Sequence, residues 1–144
     1  MLQLGKHDGF TLIEVMVVLV IIGILASLIA PKILGRQQDA MIVKTRADIR
    51  TLESALGMYK LDNFSYPSTD QGLEALIQNP GGTPAPRNWR SGGYIDRLPK
   101  DPWGNPYQYM SPGTHAEIDI FSLGADGQLG GTEVNADIGN WSLE

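Results

Sequence analysis

The chain has no cysteine, which excludes a disulfide scaffold, a Cys-ligated zinc site and a thiol nucleophile. Histidine is nearly absent too: His7 and His115 are the only two. No nucleophile–base pair can be assembled around them from spacing, so no enzymatic activity is expected. Neither a phosphate-binding loop nor a dinucleotide fingerprint is present. Lysine and arginine stop at Lys100, and the stretch beyond it holds Asp101, Glu117, Asp119, Asp126, Glu133, Asp137 and Glu144. That asymmetry, within a net charge of −5, disfavours nucleic acid and suits cations or basic partners.

What the sequence does have is one long apolar run. Phe10 to Ala30 is about 21 residues, roughly 31 Å as a helix, close to the hydrocarbon thickness of a bilayer. A secretory signal would carry a shorter apolar stretch followed by a small-residue cleavage site. Here the candidate small residue, Gly9, precedes the run, so the segment is expected to be retained. Charge does not orient it, because Lys6 lies on one side and Lys32 and Arg36 on the other. Glu14 is the anomaly. A carboxylate at the bilayer centre costs about 2.5–3.5 kcal/mol, less near an interface. It could snorkel, or it could meet a cation in an assembled state. Cutting after Gly9 would supply one, as a new amino group on Phe10.

Gly9-Phe10-Thr11-Leu12-Ile13-Glu14, followed by Val15-Met16-Val17-Val18, resembles the processing motif of type IV pilins and pseudopilins. The resemblance implies cleavage between Gly9 and Phe10 by a prepilin peptidase and N-methylation of Phe10. It also implies that Glu14 pairs with a neighbouring subunit's terminal amine during assembly. The leader, residues 1–9, would face the cytoplasm and the rest the periplasm.

Pro31 follows the apolar run and is expected to kink or end the helix. Ile33 to Leu61 argues for resumption, since it lacks proline and is rich in helix formers. Ile42, Ile49, Leu52, Leu56 and Tyr59 share one face, the core side of a head domain, while Lys44, Asp48, Arg50, Glu53 and Lys60 lie largely elsewhere. Ile24 to Gly35 is a candidate hinge. Lys44, Asp48 and Arg50 are candidates for contacts between heads.

The head begins with the polar break at Asp62-Asn63. Ser68 and Gln71 have capping-box spacing ahead of a short stripe, Leu73, Leu76 and Ile77. Residues 80–93 have loop composition, with Trp89 expected to fold back onto the core. Tyr107 to Met110 and Ile118 to Leu123 read as two antiparallel strands joined through Ser111-Pro112-Gly113. The resemblance implies an α+β, type IV pilin-like fold. A leader (1–9) precedes a membrane-spanning or filament-core helix (10–30) and its amphipathic continuation (31–61). A periplasmic head with a small antiparallel sheet (62–144) completes it.

Gly124 to Asp137 holds Asp126, Glu133 and Asp137 with no local cation, Thr132 and Asn135 as neutral oxygens, and four glycines. Hard oxygen ligands in a flexible loop suit Ca²⁺, though this is no EF-hand, and the same residues read equally as a solvated acidic turn.

Further segments carry a closer resemblance: Tyr59-Lys60-Leu61-Asp62-Asn63, Tyr66-Pro67-Ser68-Thr69, Gln71-Gly72-Leu73, Asp101-Pro102-Trp103-Gly104-Asn105-Pro106-Tyr107 and Ile138-Gly139-Asn140-Trp141. Together with the N-terminus they are similar to the major pseudopilins of type II secretion systems. That resemblance implies a homopolymeric pseudopilus in the periplasm, driving export of folded proteins across the outer membrane. The implied partners are minor pseudopilins, the prepilin peptidase and the inner-membrane assembly platform. It implies a single-pass inner-membrane protein before assembly. It also implies one structural calcium ion, held by Asp126 and by the carbonyls of Leu123 and Gln128. Asp137 is the expected second acidic ligand, with Glu133 as the other choice and Thr132 adding an oxygen. A major type IV pilin of a surface pilus is the alternative, against which the missing cysteine pair speaks.

Overall fold

A computed structural model describes residues 9–143, and the side chains of residues 30–34 stand outside that description. The expected leader, with Lys6 and His7, lies outside the described residues except for Gly9. Glu144 does too.

One helix, α1 (Leu12–Asn63), takes 52 residues. The sequence predicts that the helix kinks or ends at Pro31 and argues for its resumption beyond, and the backbone is helical throughout Ile24 to Gly35. Proline deletes one donor and crowds one carbonyl, but both flanks are strong helix, which keeps the backbone in register across it. At the far end, Asn63 is buried and closes the helix: its Nδ2 donates to the Tyr59 carbonyl (2.9 Å) and its Oδ1 accepts from the Asn88 N–H (2.9 Å).

The chain forms two compact units, Met1–Gln38 and Asp39–Glu144. Within the first, Leu12–Ile29 has a mean hydropathy of 3.0 and none of its length is buried. A stretch so apolar and so uncovered is long enough to cross a membrane.

The second unit is the head. Its core gathers Ile49, Leu52, Leu56 and Tyr59 from α1, Leu73 and Leu76 from a 3-10 turn (Leu73–Leu76), and Tyr107, Tyr109, Ile118, Ile120 and Ile138 from the sheet region. The buried helix face is the one the spacing predicts. The sheet is antiparallel in the order β1 (Gln108–Met110), β2 (Asp119–Ser122), β3 (Ile138–Gly139). Tyr109 pairs with Ile120 and Phe121 with Gly139. β1 and β2 fall inside the two expected strands. The third strand is not foreseen, because two residues carry no alternation to read.

Local turn chemistry follows the sequence closely. Gln71 Oε1 accepts from the Ser68 N–H (2.9 Å) and Ser68 Oγ accepts from the Gln71 N–H (3.2 Å), the reciprocal pattern of a capping box. Trp89 packs against the core and its Nε1 donates to the Ala75 carbonyl (2.9 Å).

Candidate functional site

Two regions carry the expected site residues, one at the start of α1 and one beyond β2. At the first, Gly9 and Phe10 precede the helix, and Phe10 is 88% exposed. Glu14 has a local role that the sequence reading missed. Its Oε2 accepts from the Thr11 N–H (2.8 Å) and from Thr11 Oγ1 (3.0 Å), while its own N–H donates to Thr11 Oγ1 (3.3 Å). With the helix beginning at Leu12, Thr11 is the N-cap and Glu14 the third helical residue, a capping box. The spacing Thr-x-x-Glu was the available signal. The carboxylate thus satisfies an amide that the helix start leaves without a partner, and it sits within a turn of the Gly9–Phe10 bond.

The second region is entered through a buried polar tie. Asp101 is buried, and its Oδ1 accepts from the Trp103 and Asn105 amides (3.1 and 2.8 Å). Its Oδ2 accepts from Ser122 Oγ (2.7 Å), which in turn accepts from the Gly124 N–H (3.2 Å). The proline-rich Asp101–Tyr107 segment therefore fixes where the acidic loop leaves β2. Gly124 and Gly131 shape the loop. Both have positive φ (69° and 88°), and a Cβ on either would strike backbone at residues 134–136.

Asp137 points inward. Its Oδ2 accepts from the Gly130 N–H (2.9 Å), and its Oδ1 is buried with no hydrogen-bond partner. An unpartnered buried carboxylate oxygen costs about 1–3 kcal/mol or more unless something fills it. Asp126 is exposed, with Oδ1 accepting from the Gln128 N–H (3.1 Å). Thr132 and Glu133 are also exposed, Leu123 is half-buried, and Glu133 itself has a positive φ of 55°. Among the described residues, no three His, Cys, Asp or Glu side chains converge as a metal site. The donor set therefore suits a hard cation only with carbonyl oxygens added. Asp137 differs from Glu133 in having a buried, unpartnered oxygen, whereas Glu133 is exposed.

A further cluster lies at the start of β2. Asp119 is almost fully buried and accepts from the amides of Thr114 (2.7 Å) and Ala116 (3.1 Å), from Thr114 Oγ1 (2.8 Å) and from His115. Burial alone would raise its pKa, but these hydrogen bonds outweigh it and hold the carboxyl well below the usual range. His115 is exposed, and its ring stacks on Trp141 with centroids 3.8 Å apart. The helix charges proposed for contacts between heads are engaged within this one. Asp48 pairs with Lys44 and accepts from the Tyr107 hydroxyl (2.8 Å), and Arg50 donates to the Leu143 carbonyl (3.0 Å). Burial pushes the Tyr107 hydroxyl far up in pKa, and its bond to Asp48 adds to the shift.

The chain can now be set beside known proteins. The family model for type II secretion system (T2SS), protein G matches residues 32–141, and that for the prokaryotic N-terminal methylation motif matches residues 4–30. The chain is 60% identical to the type II secretion system core protein G of Vibrio cholerae, over 100% of this chain and 98% of that one. It is 56% identical to the protein of that name from Pseudomonas aeruginosa, over 97% and 99%. Among solved structures it is similar to the major pseudopilin from the type 2 secretion system of enterohaemorrhagic Escherichia coli. That match has a TM-score of 0.69 and 50% identity, covering 76% of this chain and 93% of that one. By sequence, by fold and by its N-terminal motif, the chain belongs to the type II secretion system protein G family.

Proposed function

We infer that the chain is the major structural subunit of a type II secretion pseudopilus, polymerising to drive export of folded proteins across the outer membrane. One observation carries the physical side of this reading. Leu12–Ile29 is apolar apart from Glu14 and Ser27 and wholly unburied within the chain, so it needs lipid before assembly and other subunits after it. A surface pilus has no comparable support, since the relatives and the matched structure are secretion proteins.

In the proposed sequence of events, the prepilin peptidase cuts between the exposed Gly9 and Phe10, and the new terminus is methylated. The chain waits in the inner membrane with its head in the periplasm. The assembly platform then adds it to a filament that minor pseudopilins accompany. Glu14 meets the amine of a neighbouring Phe10 as the subunit enters. In the head, Ca²⁺ is the proposed structural ion. Asp137 Oδ1 supplies the inward ligand, with Asp126 and the carbonyls of Leu123 and Gln128 completing the set and Thr132 within the same loop. When bound, the ion would satisfy the buried, unpartnered Asp137 Oδ1. The chain's own contribution is the glycine-shaped loop that presents its oxygens.

The test is deletion of the gene in its host, complemented by the wild-type chain. Secretion should stop and return with complementation. Filaments should appear when the chain is overproduced with its assembly machinery, built from a product that mass spectrometry finds to begin at N-methylated Phe10. Normal secretion without the chain would overturn the reading.

A further inference from the structure

The sequence holds two Asp-Gly pairs and no Asn-Gly pair. One, Asp8-Gly9, belongs to the expected leader. The other, Asp126-Gly127, sits in the loop beyond β2, where residues 125–133 are all exposed. An aspartate carboxyl can close on the amide nitrogen of the next residue to give a five-membered succinimide. A side chain on that next residue slows the closure, and so does a backbone held in a helix or strand. Elsewhere such obstacles stand. Asp48 lies inside α1, and Asp101 is followed by a proline, which has no N–H. Asp119 and Asp137 are followed by isoleucines set in strands.

Neither obstacle stands at Asp126. Gly127 brings no side chain, and the segment lies outside helix and strand. A Cβ at Gly127 would meet only the Asn105 side-chain amide, at 3.7 Å, so a ring has room. The carboxyl is turned the right way as well. Its Oδ1 accepts from the Gln128 N–H (3.1 Å), a turn that folds the side chain back over the Gly127 peptide and its nitrogen. The loop itself calls for glycine here, because φ is 66°. The fold therefore sets the reactive pair in place and keeps a protective side chain out.

We propose that Asp126-Gly127 is a site of spontaneous isoaspartate formation, open when the loop holds no cation and closed when it holds one. The Gly127 nitrogen bonds to Asp126 Cγ, and one carboxyl oxygen leaves as water with the carboxyl's proton and the amide's. Water then adds to either carbonyl of the ring. Breaking the bond from the nitrogen to Cγ restores aspartate, and breaking its bond to the main-chain carbon leaves isoaspartate. No oxidant, reductant or further reactant takes part. The product routes the main chain through Cβ and Cγ, which lengthens the path between the Leu123 and Gln128 carbonyls by one atom. An ion on the Asp126 carboxylate blocks the first step, because it holds the oxygen that has to leave. That protection rests on the calcium reading above, whereas the closure itself does not. The loop thus records the time a subunit spends without its ion.

The test uses the full chain, purified in detergent and held at neutral pH in Ca²⁺ or in chelator. Isoaspartate is counted by methyl transfer from S-adenosylmethionine with an isoaspartyl methyltransferase. Its position is read by electron-transfer fragmentation of residues 101–144, which trypsin releases whole because no lysine or arginine follows Lys100. Isoaspartate should accumulate at residue 126 in chelator. With free Ca²⁺ at about ten times its dissociation constant, the cation-free fraction, and the rate with it, should fall about ten-fold. In chelator Asp126→Asn should react faster, releasing ammonia, and Asp126→Glu should give no isomer at this position, because its larger ring closes slowly. A chelated chain without isoaspartate at 126 overturns the proposal, and so does an Asp126→Asn chain that keeps its amide. Equal rates with and without Ca²⁺ overturn the protection where Ca²⁺ raises the melting temperature. Equal rates in a chain whose melting temperature ignores Ca²⁺ overturn the calcium reading, and the protection with it.

Discussion

At the residue scale, Glu14 has two roles that ordinary alanine substitution would confuse. It caps α1 through Thr11, and in assembly it is proposed to meet an amine. Glutamine separates the two, because a Gln at this position of a capping box can still accept from the N-cap amide but carries no charge. Glu14→Ala loses both functions; Glu14→Gln loses only the charge. If the charge matters for assembly, both variants reach the membrane and neither forms filaments. If capping is the main role, Glu14→Gln assembles like the parent and only Glu14→Ala fails. Filament yield from sheared cells, compared with membrane-fraction levels of each variant, decides between them.

Asp119 makes a residue-scale prediction of a different kind. Its depressed pKa comes from hydrogen bonds that outweigh its burial. Such a carboxylate stabilises the fold above its ordinary pKa of about 3.9 and loses that contribution as pH falls from there toward the depressed value. The head should therefore lose stability progressively below about pH 4. Asp119→Asn should cost about 1–3 kcal/mol at neutral pH through broken bonds and flatten the acid limb. Melting curves from pH 2 to 7 test this, and an acid limb as steep in the variant as in the parent would refute it.

At the scale of elements, the loop beyond β2 is where chelation should be felt. With Asp137 Oδ1 buried and unpartnered, removing a bound cation exposes the full cost of that oxygen. A chelator is expected to lower the melting temperature by about 5 °C or more, given that 1 kcal/mol shifts a domain of this size by about 4–8 °C. Asp137→Ala should melt lower than the parent in calcium and respond little to the chelator. Glu133→Ala should stay close to the parent and keep its response. A Glu133→Ala chain insensitive to chelation would exchange the two assignments. The elements differ in how far the sequence announced them. The core face of α1 was legible because its apolar spacing is fixed by helix geometry, and the Ser68–Gln71 box because the motif is local. β3 was not, since its two residues owe their place to pairing with Phe121 and Ser122. The continuation of α1 beyond Pro31 was legible in the proline-free, helix-forming stretch Ile33 to Leu61. At the candidate site, composition marks Asp126, Glu133 and Asp137 alike, and only the resemblance singles out Asp126 and Asp137. The inward turn of Asp137 is set by Gly130 and the backbone about Gly131, which spacing alone does not encode.

At the scale of the whole molecule, the two units divide the physical work. Every residue of the buried head cluster, and each partly buried neighbour packed on it, lies at Ile42 or beyond, whereas Leu12–Ile29 buries nothing within the chain. Removing residues 1–38 therefore takes no apolar area from the head core. It leaves a helix beginning at Asp39, a residue type suited to cap a new N-terminus. The truncated chain is expected to be soluble and monomeric, with a melting temperature within a few degrees of the full chain's head in detergent. It should never polymerise, because the surface that demands burial has gone. Sedimentation and circular dichroism of the 39–144 fragment check both halves of this expectation. A fragment that fails to fold would mean that the first unit supports the head by contacts beyond its own apolar demand. Filaments formed by the fragment would mean that the heads, and not the apolar helix, drive assembly.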